Sequence, residues 1–243
     1  MNLIIEQGNS ATKVAVYDQD NIVFMSNYKD FKEADISQLF NQYPLINGIF
    51  STVIEHNKAL ITCLENQLTR FFFFDEKLRL PIEVSYQTPE TLGRDRIAVA
   101  VGANFLQPQK DVLVIDAGTA ITFEVVEAPG IYLGGNISPG VIARFHALNR
   151  HTKRLPLVEE REIVPLLGTS TETAILSGVV RGIVFEMDGY INELQNKYSG
   201  LYVFLTGGHT FYFEKRLKNA IFADKKLALI GLNRILEYNI EKQ

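Results

Sequence analysis

The stretch Leu3-Ile4-Ile5-Glu6-Gln7-Gly8-Asn9-Ser10-Ala11-Thr12 returns in kind 110 residues later as Leu113-Val114-Ile115-Asp116-Ala117-Gly118-Thr119-Ala120-Ile121-Thr122. In both copies an apolar run ends in an acid, skips one residue, and reaches Gly followed by a small polar side chain. A short apolar run closed by turn residues reads as a buried strand. Each copy therefore begins a strand–turn–strand unit, and each opens one half of the chain. The boundary falls near Pro108-Gln109-Lys110, which gives halves of 1–110 and 111–243. Helical segments separate the strands, so the pattern predicts an α/β fold of two duplicated halves.

The rest of the chain fits that frame. Lys13 to Tyr17 and Ile22 to Met25 read as strands around a polar hairpin turn at Asp18-Gln19-Asp20-Asn21. Helices are expected over Ile36 to Tyr43 and Asn57 to Thr69, with a strand at Gly48 to Val53 between them. Phe71-Phe72-Phe73-Phe74 reads as a strand buried on both faces rather than an aromatic binding platform. A helix is predicted from near Thr91 to Phe105, then strands at Asp111 to Asp116 and Thr122 to Val126. Gly134 to Gly140 reads as a loop leading into a helix from about Val141. Another helix runs from Thr171 to Gln195, a strand from Leu201 to Leu205 stops at Thr206-Gly207-Gly208, and a last helix covers Leu227 to Tyr238.

Composition removes several classes of function. At 243 residues and 47% hydrophobic, the chain can bury a substantial core. A net charge of −4 leaves no basic footprint for nucleic acid. No apolar stretch is long enough for a bilayer, and the N-terminus has no signal-peptide pattern, so no membrane partner is expected. The single cysteine, Cys63, rules out an intramolecular disulfide framework and fits a reducing, cytoplasmic setting. Cys63 lies in an apolar-periodic segment and reads as a helix residue turned inward. The four histidines, 56, 146, 151 and 209, show no metal-ligand spacing.

Four segments carry chemistry. In Glu6 to Lys13, Gly8 lets main-chain N–H groups approach a phosphate, Asn9 and Ser10 add short donors, and Lys13 adds a positive charge. Glu6, at the strand end, can hold Mg²⁺ directly or through water. Asp116 follows four apolar residues, and a carboxylate there needs a cation or hydrogen bonds. Thr206-Gly207-Gly208 after a strand fits a nucleotide loop with room for adenosine. In Gly93-Arg94-Asp95-Arg96, Asp95 reads as a base accepting a hydroxyl proton, with Arg96 gripping a carboxylate; as a bare tetrapeptide it also fits a helix cap with a surface ion pair.

Taken in order, these segments resemble the type III pantothenate kinases. The family's opening Asp-x-Gly-Asn-Thr/Ser-x-x-Lys is similar to Glu6 through Lys13, and its Pro-Ile-x-Val-x-Tyr approach to Gly-x-Asp-Arg is similar to Pro81 to Tyr86 and Gly93 to Arg96. Its Asp-x-Gly-Thr-Ala, Gly-Gly-x-Ile-x-Pro-Gly, Leu-Pro, Gly-x-x-Thr and Thr-Gly-Gly are matched at 116–120, 134–140, 155–156, 168–171 and 206–208. The resemblance implies the actin-like ATPase (ribonuclease H-like) fold, an α/β fold of two duplicated halves with mixed five-stranded sheets flanked by helices, and ATP-dependent phosphorylation of pantothenate, the first step of coenzyme A synthesis. It implies that Glu6, Gln7, Gly8, Asn9, Ser10, Ala11, Thr12 and Lys13 line ATP with Mg²⁺, joined by Thr119. Asp95 becomes the catalytic proton acceptor, and Tyr86, Gly93, Arg94, Asp95, Arg96 and Thr171 contact pantothenate. Asp116 becomes the site of a monovalent cation, K⁺ or NH₄⁺, and the enzyme becomes a homodimer through the helix from Thr171.

The chain departs from the family at its opening acid, which is Glu6 where Asp is usual; the extra methylene moves the carboxylate outward by about one carbon–carbon bond length. Lys153-Arg154 also replaces small residues before Leu155-Pro156. Two other classes compete: a nucleotide-binding regulator without activity, and a different actin-like phosphotransferase acting on a sugar or acetate. Glu6 favours the first; the Gly-x-Asp-Arg segment and the short chain oppose the second.

Overall fold

A computed structural model describes residues 1–55 and 57–242 of the chain; His56 lies outside the described residues. By contacts the chain forms two compact units, one of residues 1–108, 130–133 and 226–243, the other of 109–129 and 134–225.

In the first unit, β1 (Asn2–Gln7), β2 (Thr12–Asp18), β3 (Asn21–Tyr28), β4 (Asn47–Thr52) and β5 (Arg70–Phe73) form a sheet in the order β3-β2-β1-β4-β5. The β1–β2 and β2–β3 pairs are antiparallel hairpins, while β1–β4 and β4–β5 are parallel, so helices must make the returns. Those returns are α1 (Glu33–Gln42), between β3 and β4, and α2 (Lys58–Gln67), between β4 and β5. Asn57 starts α2 by accepting the N–H of Ala59 on its side chain at 2.9 Å. Alternation along the strands sends Leu3, Ile5, Val14, Val16 and Phe50 into one core with Ile36 and Leu39 of α1 and Leu60 and Leu64 of α2. The intervening Ile4, Ala15 and Ile49, also buried, point to the opposite face.

Two further helices of this unit pack together: α3 (Arg94–Leu106), preceded by a short 3₁₀ turn at Pro89–Thr91, and α7 (Leu227–Glu241). They meet backbone to backbone. A Cβ built on Gly102 of α3 would lie 2.2 Å from the Leu227 carbonyl oxygen, and one on Gly231 of α7 would lie 1.8 Å from the Ala98 oxygen. Glycine at both positions is what permits this spacing. α7 also touches β1, β2 and β4, and its buried face includes Leu229, Leu232, Ile235 and Leu236. A short strand, β6 (Glu83–Val84), pairs in parallel with Ile131 and Tyr132.

The second unit holds β7 (Val112–Ala117), β8 (Ala120–Glu127), β9 (Ile131–Pro139) from residue 134 on, β10 (Tyr202–Thr206) and β11 (Phe222–Ala223), in the order β11-β10-β7-β8-β9. β7 and β8 form an antiparallel hairpin, and β10 runs parallel to both β7 and β11. Its helices are α4 (Val141–His151), α5 (Thr171–Lys197) and the short α6 (Thr210–Glu214). α5 is the longest helix and starts with reciprocal capping between Ser170 and Thr173.

Two sequence expectations change. Phe71 to Phe73 are half-buried rather than enclosed on both faces, because β5 is the sheet's edge strand with β4 as its one neighbour. Residues 134–139, expected as a loop, continue β9 up to Pro139. A glycine-rich run weakens strand propensity, and the neighbouring ladder overrides it.

Glu237, on α7, gives a pH test of this packing. Burial pushes its carboxyl above the usual value and Asp20 adds repulsion, against weaker opposing effects from Arg234 and Asn233. A raised folded value means the native state holds this proton more tightly than the unfolded chain. The group's stabilising share is complete below the unfolded value and is lost as pH rises through the folded one. Glu237→Gln therefore raises the melting temperature at about pH 7 by a degree or two, since the site is partly solvated, and the gain vanishes near pH 3. An equal shift at both pH values would contradict the burial effect.

Candidate active site

In the first unit, the turn between β1 and β2 carries Glu6 to Lys13. The antiparallel register sets Glu6 opposite Lys13 and Gln7 opposite Thr12. Glu6 Oε2 receives Lys13 Nζ at 2.9 Å, with the two side chains 16% and 34% exposed. The extra methylene of Glu6 thus meets a cation on the facing strand, a cross-strand pair of opposite charge. Gly8 N–H bonds to the Ala11 carbonyl at 3.0 Å and closes the turn. Gln7 Oε1 accepts the hydroxyl of Thr52, on the parallel strand β4, at 3.0 Å. Asn9 and Ser10 are exposed at the tip, Ala11 is half-buried and Thr12 is buried.

The start of α3 carries the Gly93 to Arg96 segment. Asp95 lies in the first turn, where the helix dipole favours a carboxylate, and its Oδ1 accepts the Arg96 N–H at 2.9 Å. Gly93, the N-cap, leaves space for that carboxylate: a Cβ there would lie 2.5 Å from Asp95 Oδ1. Arg96 is 6% exposed, and its guanidinium carbon lies 5.8 Å from the centroid of the Tyr86 ring. Tyr86 in turn lies 6.1 Å from the Tyr132 ring. Asp95 is thereby tied to the Arg96 backbone, while the buried Arg96 guanidinium stands over the Tyr86 face. Arg94 is engaged elsewhere: its guanidinium stands over Phe74 at 5.8 Å, with Glu76 at 3.9 Å.

In the second unit, Asp116 lies near the end of β7 between Thr122 of β8 and Thr206 of β10. The glycines that follow the strands crowd its carboxylate. A Cβ on Gly207, whose φ is 95°, would lie 2.3 Å from Asp116 Oδ1, and one on Gly118 would lie at 3.4 Å. The left-handed backbone and the close approach both require glycine at 207. His209 N–H bonds to the Ala117 carbonyl at 3.0 Å, tying the Thr206-Gly207-Gly208 turn to β7. Gly140 N–H bonds to the Thr119 carbonyl at 3.2 Å, and a Cβ on Gly140 would meet that oxygen at 2.4 Å. Thr119 is exposed at the β7–β8 turn. Thr171 is the exposed first residue of α5, beside the Ser170–Thr173 cap.

The structure thus brings Asp116, the Thr119 turn and the glycines 118, 140 and 207 together within the second unit. It places Thr171 at a helix start. Sequence reasoning assigns no separate role to Gly140; its position between Pro139 and the start of α4 is the signal that marks it. The donor types suit cations. The carboxylates of Asp116 and Glu6 are hard oxygen donors of the kind that hard cations take, and among the described residues no three His, Cys, Asp or Glu side chains cluster as a metal site.

The chain matches the family model for type III pantothenate kinase over residues 2–193. A type III pantothenate kinase from Phocaeicola vulgatus is 47% identical over 98% of this chain and 99% of its own length. Among solved structures, a protein from Campylobacter jejuni described as a Baf family transcriptional activator is 27% identical with a TM-score of 0.59, covering 98% of this chain and 99% of its own. MreB5 of Spiroplasma citri, solved with ADP, is 9% identical with a TM-score of 0.52 over 99% of this chain and 97% of its own. The last likeness speaks to fold alone, which is the actin-like ATPase fold. By the family match and the full-length identity, this chain belongs to the type III pantothenate kinase family.

Proposed function

We propose that this chain transfers the γ-phosphoryl group of ATP to the primary alcohol of pantothenate, with Asp95 as the proton acceptor. Family membership supports the reaction. The observation that supports the role of Asp95 is its place in the first turn of α3, next in the chain to the buried Arg96 whose guanidinium stands over Tyr86. As the alcohol oxygen bonds to phosphorus and the bond to the ADP oxygen breaks, the alcohol proton passes to the Asp95 carboxylate and then to water. Arg96 holds the substrate carboxylate, with Tyr86, Gly93, Arg94 and Thr171 completing the pantothenate site. Arg94 contributes by fixing the start of α3 through Phe74 and Glu76.

Glu6 to Lys13 and Thr119 would contact ATP; Glu6 would be an oxygen ligand to Mg²⁺, which would offset phosphate charge, and Asp116 an oxygen ligand to K⁺ or NH₄⁺. Residues 1–110 and 111–243 are read as the two duplicated halves. A second copy of the chain docks on α5, where the positions of Gly178, Gly182 and Gly189 open onto empty space and Phe185 is 57% exposed. Sedimentation at the mass of one chain would remove that reading. The cytoplasm, where ATP and a reducing environment coincide, is the setting proposed. Among the described residues no helix is long and apolar enough to cross a membrane.

The reaction is tested by its product. Phosphorus NMR and mass spectrometry of a mixture of protein, MgATP, pantothenate and K⁺ should show one phosphate ester on the primary alcohol. Replacing K⁺ with Na⁺ should slow its formation at least several-fold. Absence of the ester under both conditions would contradict the proposal, and equal rates would remove the monovalent cation from Asp116.

A further inference from the structure

Arg144, on the first turns of α4, takes no part in the segments discussed so far, yet its side chain gathers three acceptors from two directions. Its Nε donates to the Pro139 carbonyl at 2.8 Å, one terminal nitrogen donates to Ser138 Oγ at 2.8 Å, and the same nitrogen forms an ion pair with Glu186 of α5. The Arg144 and Glu186 side chains are each 22% exposed, so this pairing is partly withdrawn from water. A planar guanidinium holds such a set in one geometry, which a single ammonium does not.

What it braces is the segment Ser138-Pro139-Gly140. Proline supplies no N–H, so this end of β9 has one fewer backbone tie. Gly140 then makes the close contact with the β7–β8 turn described above, its N–H on the Thr119 carbonyl. Positions for a Cβ on Gly140 are closed by both the Thr119 and Gly118 oxygens, at 2.4 and 2.6 Å. The turn bearing Thr119 and Gly118 therefore rests on Gly140, and Gly140 is held from behind by Arg144 and through it by Glu186 on α5.

We propose that Arg144 is a positioning residue for the nucleotide: it locks residues 138–140 against the Gly118-Thr119 turn and so fixes the turn that contacts ATP. The consequence for nucleotide rests on Thr119 contacting ATP; the brace itself does not. Loss of the brace leaves the turn with a mobile support, which weakens nucleotide binding and leaves the alcohol site, at the start of α3, unaffected.

The test compares Arg144→Met, Arg144→Lys and the unaltered full chain in two readouts. Hydrogen exchange across 136–141 reports the brace without reference to activity. Arg144→Met should speed exchange of the Gly140 amide about ten-fold, with the interior of α5 unchanged. Titration with ADP, in the absence of pantothenate, should show dissociation constants raised about ten-fold in Arg144→Met and about three-fold in Arg144→Lys, which keeps the ion pair with Glu186. The Michaelis constant for pantothenate should stay within about two-fold. If Arg144→Met does not fold, Arg144→Lys decides alone by the same readouts. Unchanged exchange at Gly140 in a folded variant overturns the brace. Faster exchange with unchanged ADP affinity overturns its role in nucleotide positioning. An unaltered chain that binds ADP but leaves pantothenate untouched would defeat the proposed reaction while the Arg144 comparison still stands; one that binds no ADP would overturn the reaction and the nucleotide role of Arg144, with the brace still decided by exchange.

Discussion

Asp95→Asn is expected to lower kcat for pantothenate-dependent ADP release by about 10²- to 10⁴-fold, the usual span for removing a positioned general base. The amide is nearly isosteric, and its oxygen can still accept the Arg96 N–H that Asp95 Oδ1 accepts at 2.9 Å. The start of α3 should therefore keep its shape. What the amide lacks is a basic oxygen for the alcohol proton. ADP affinity and melting temperature should stay close to those of the unaltered protein, which separates a chemical defect from a folding one. A kcat within a few-fold of the unaltered protein would take the base role away from Asp95 and leave Arg96 and Tyr86 as a binding site only.

The second large effect is on stability. Gly231→Ala would set a methyl carbon 1.8 Å from the Ala98 carbonyl oxygen, and backbone cannot give way as a flexible side-chain tip can. α3 and α7 would have to separate, and the shift would strain a helix whose Leu227, Leu232 and Ile235 are buried. Overpacking of this kind costs about 3 kcal/mol or more. The better helix propensity of alanine offsets about 1 kcal/mol of it. A net loss of about 2 kcal/mol or more should lower the melting temperature by about 5 °C or more in a chain of this size. Gly102→Ala, facing the Leu227 carbonyl at 2.2 Å, should act in the same direction. Thermal unfolding followed by circular dichroism checks both; a melting temperature unchanged by Gly231→Ala would mean that the helices are not in backbone contact.

Much of this architecture is legible in the residues themselves. The repeated strand–acid–turn pattern places Glu6 and Asp116 at corresponding strand ends, and both strands are observed. The helix expected over Asn57 to Thr69 is observed as Lys58–Gln67, with Asn57 as its cap. Other features depend on neighbours that a sequence does not display. Glu6 and Lys13 are seven positions apart and become a pair only through the hairpin register. Arg94 and Arg96 stand two positions apart in one tetrapeptide. The turn of the helix sends one onto Phe74 and Glu76 and the other over Tyr86. The edge position of β5, the continuation of β9 to Pro139 and the three acceptors of Arg144 are likewise set by packing. The glycines at 102 and 231 lie in runs that read as ordinary helix, and only the approach of α3 to α7 explains why no larger residue fits.

The central claim is that the alcohol of pantothenate is this protein's phosphoryl acceptor. It is tested most directly by following ADP release with MgATP and K⁺, with and without pantothenate. The account predicts release that rises with pantothenate to saturation and falls to background without it. Release that is the same whether or not pantothenate is present would contradict it.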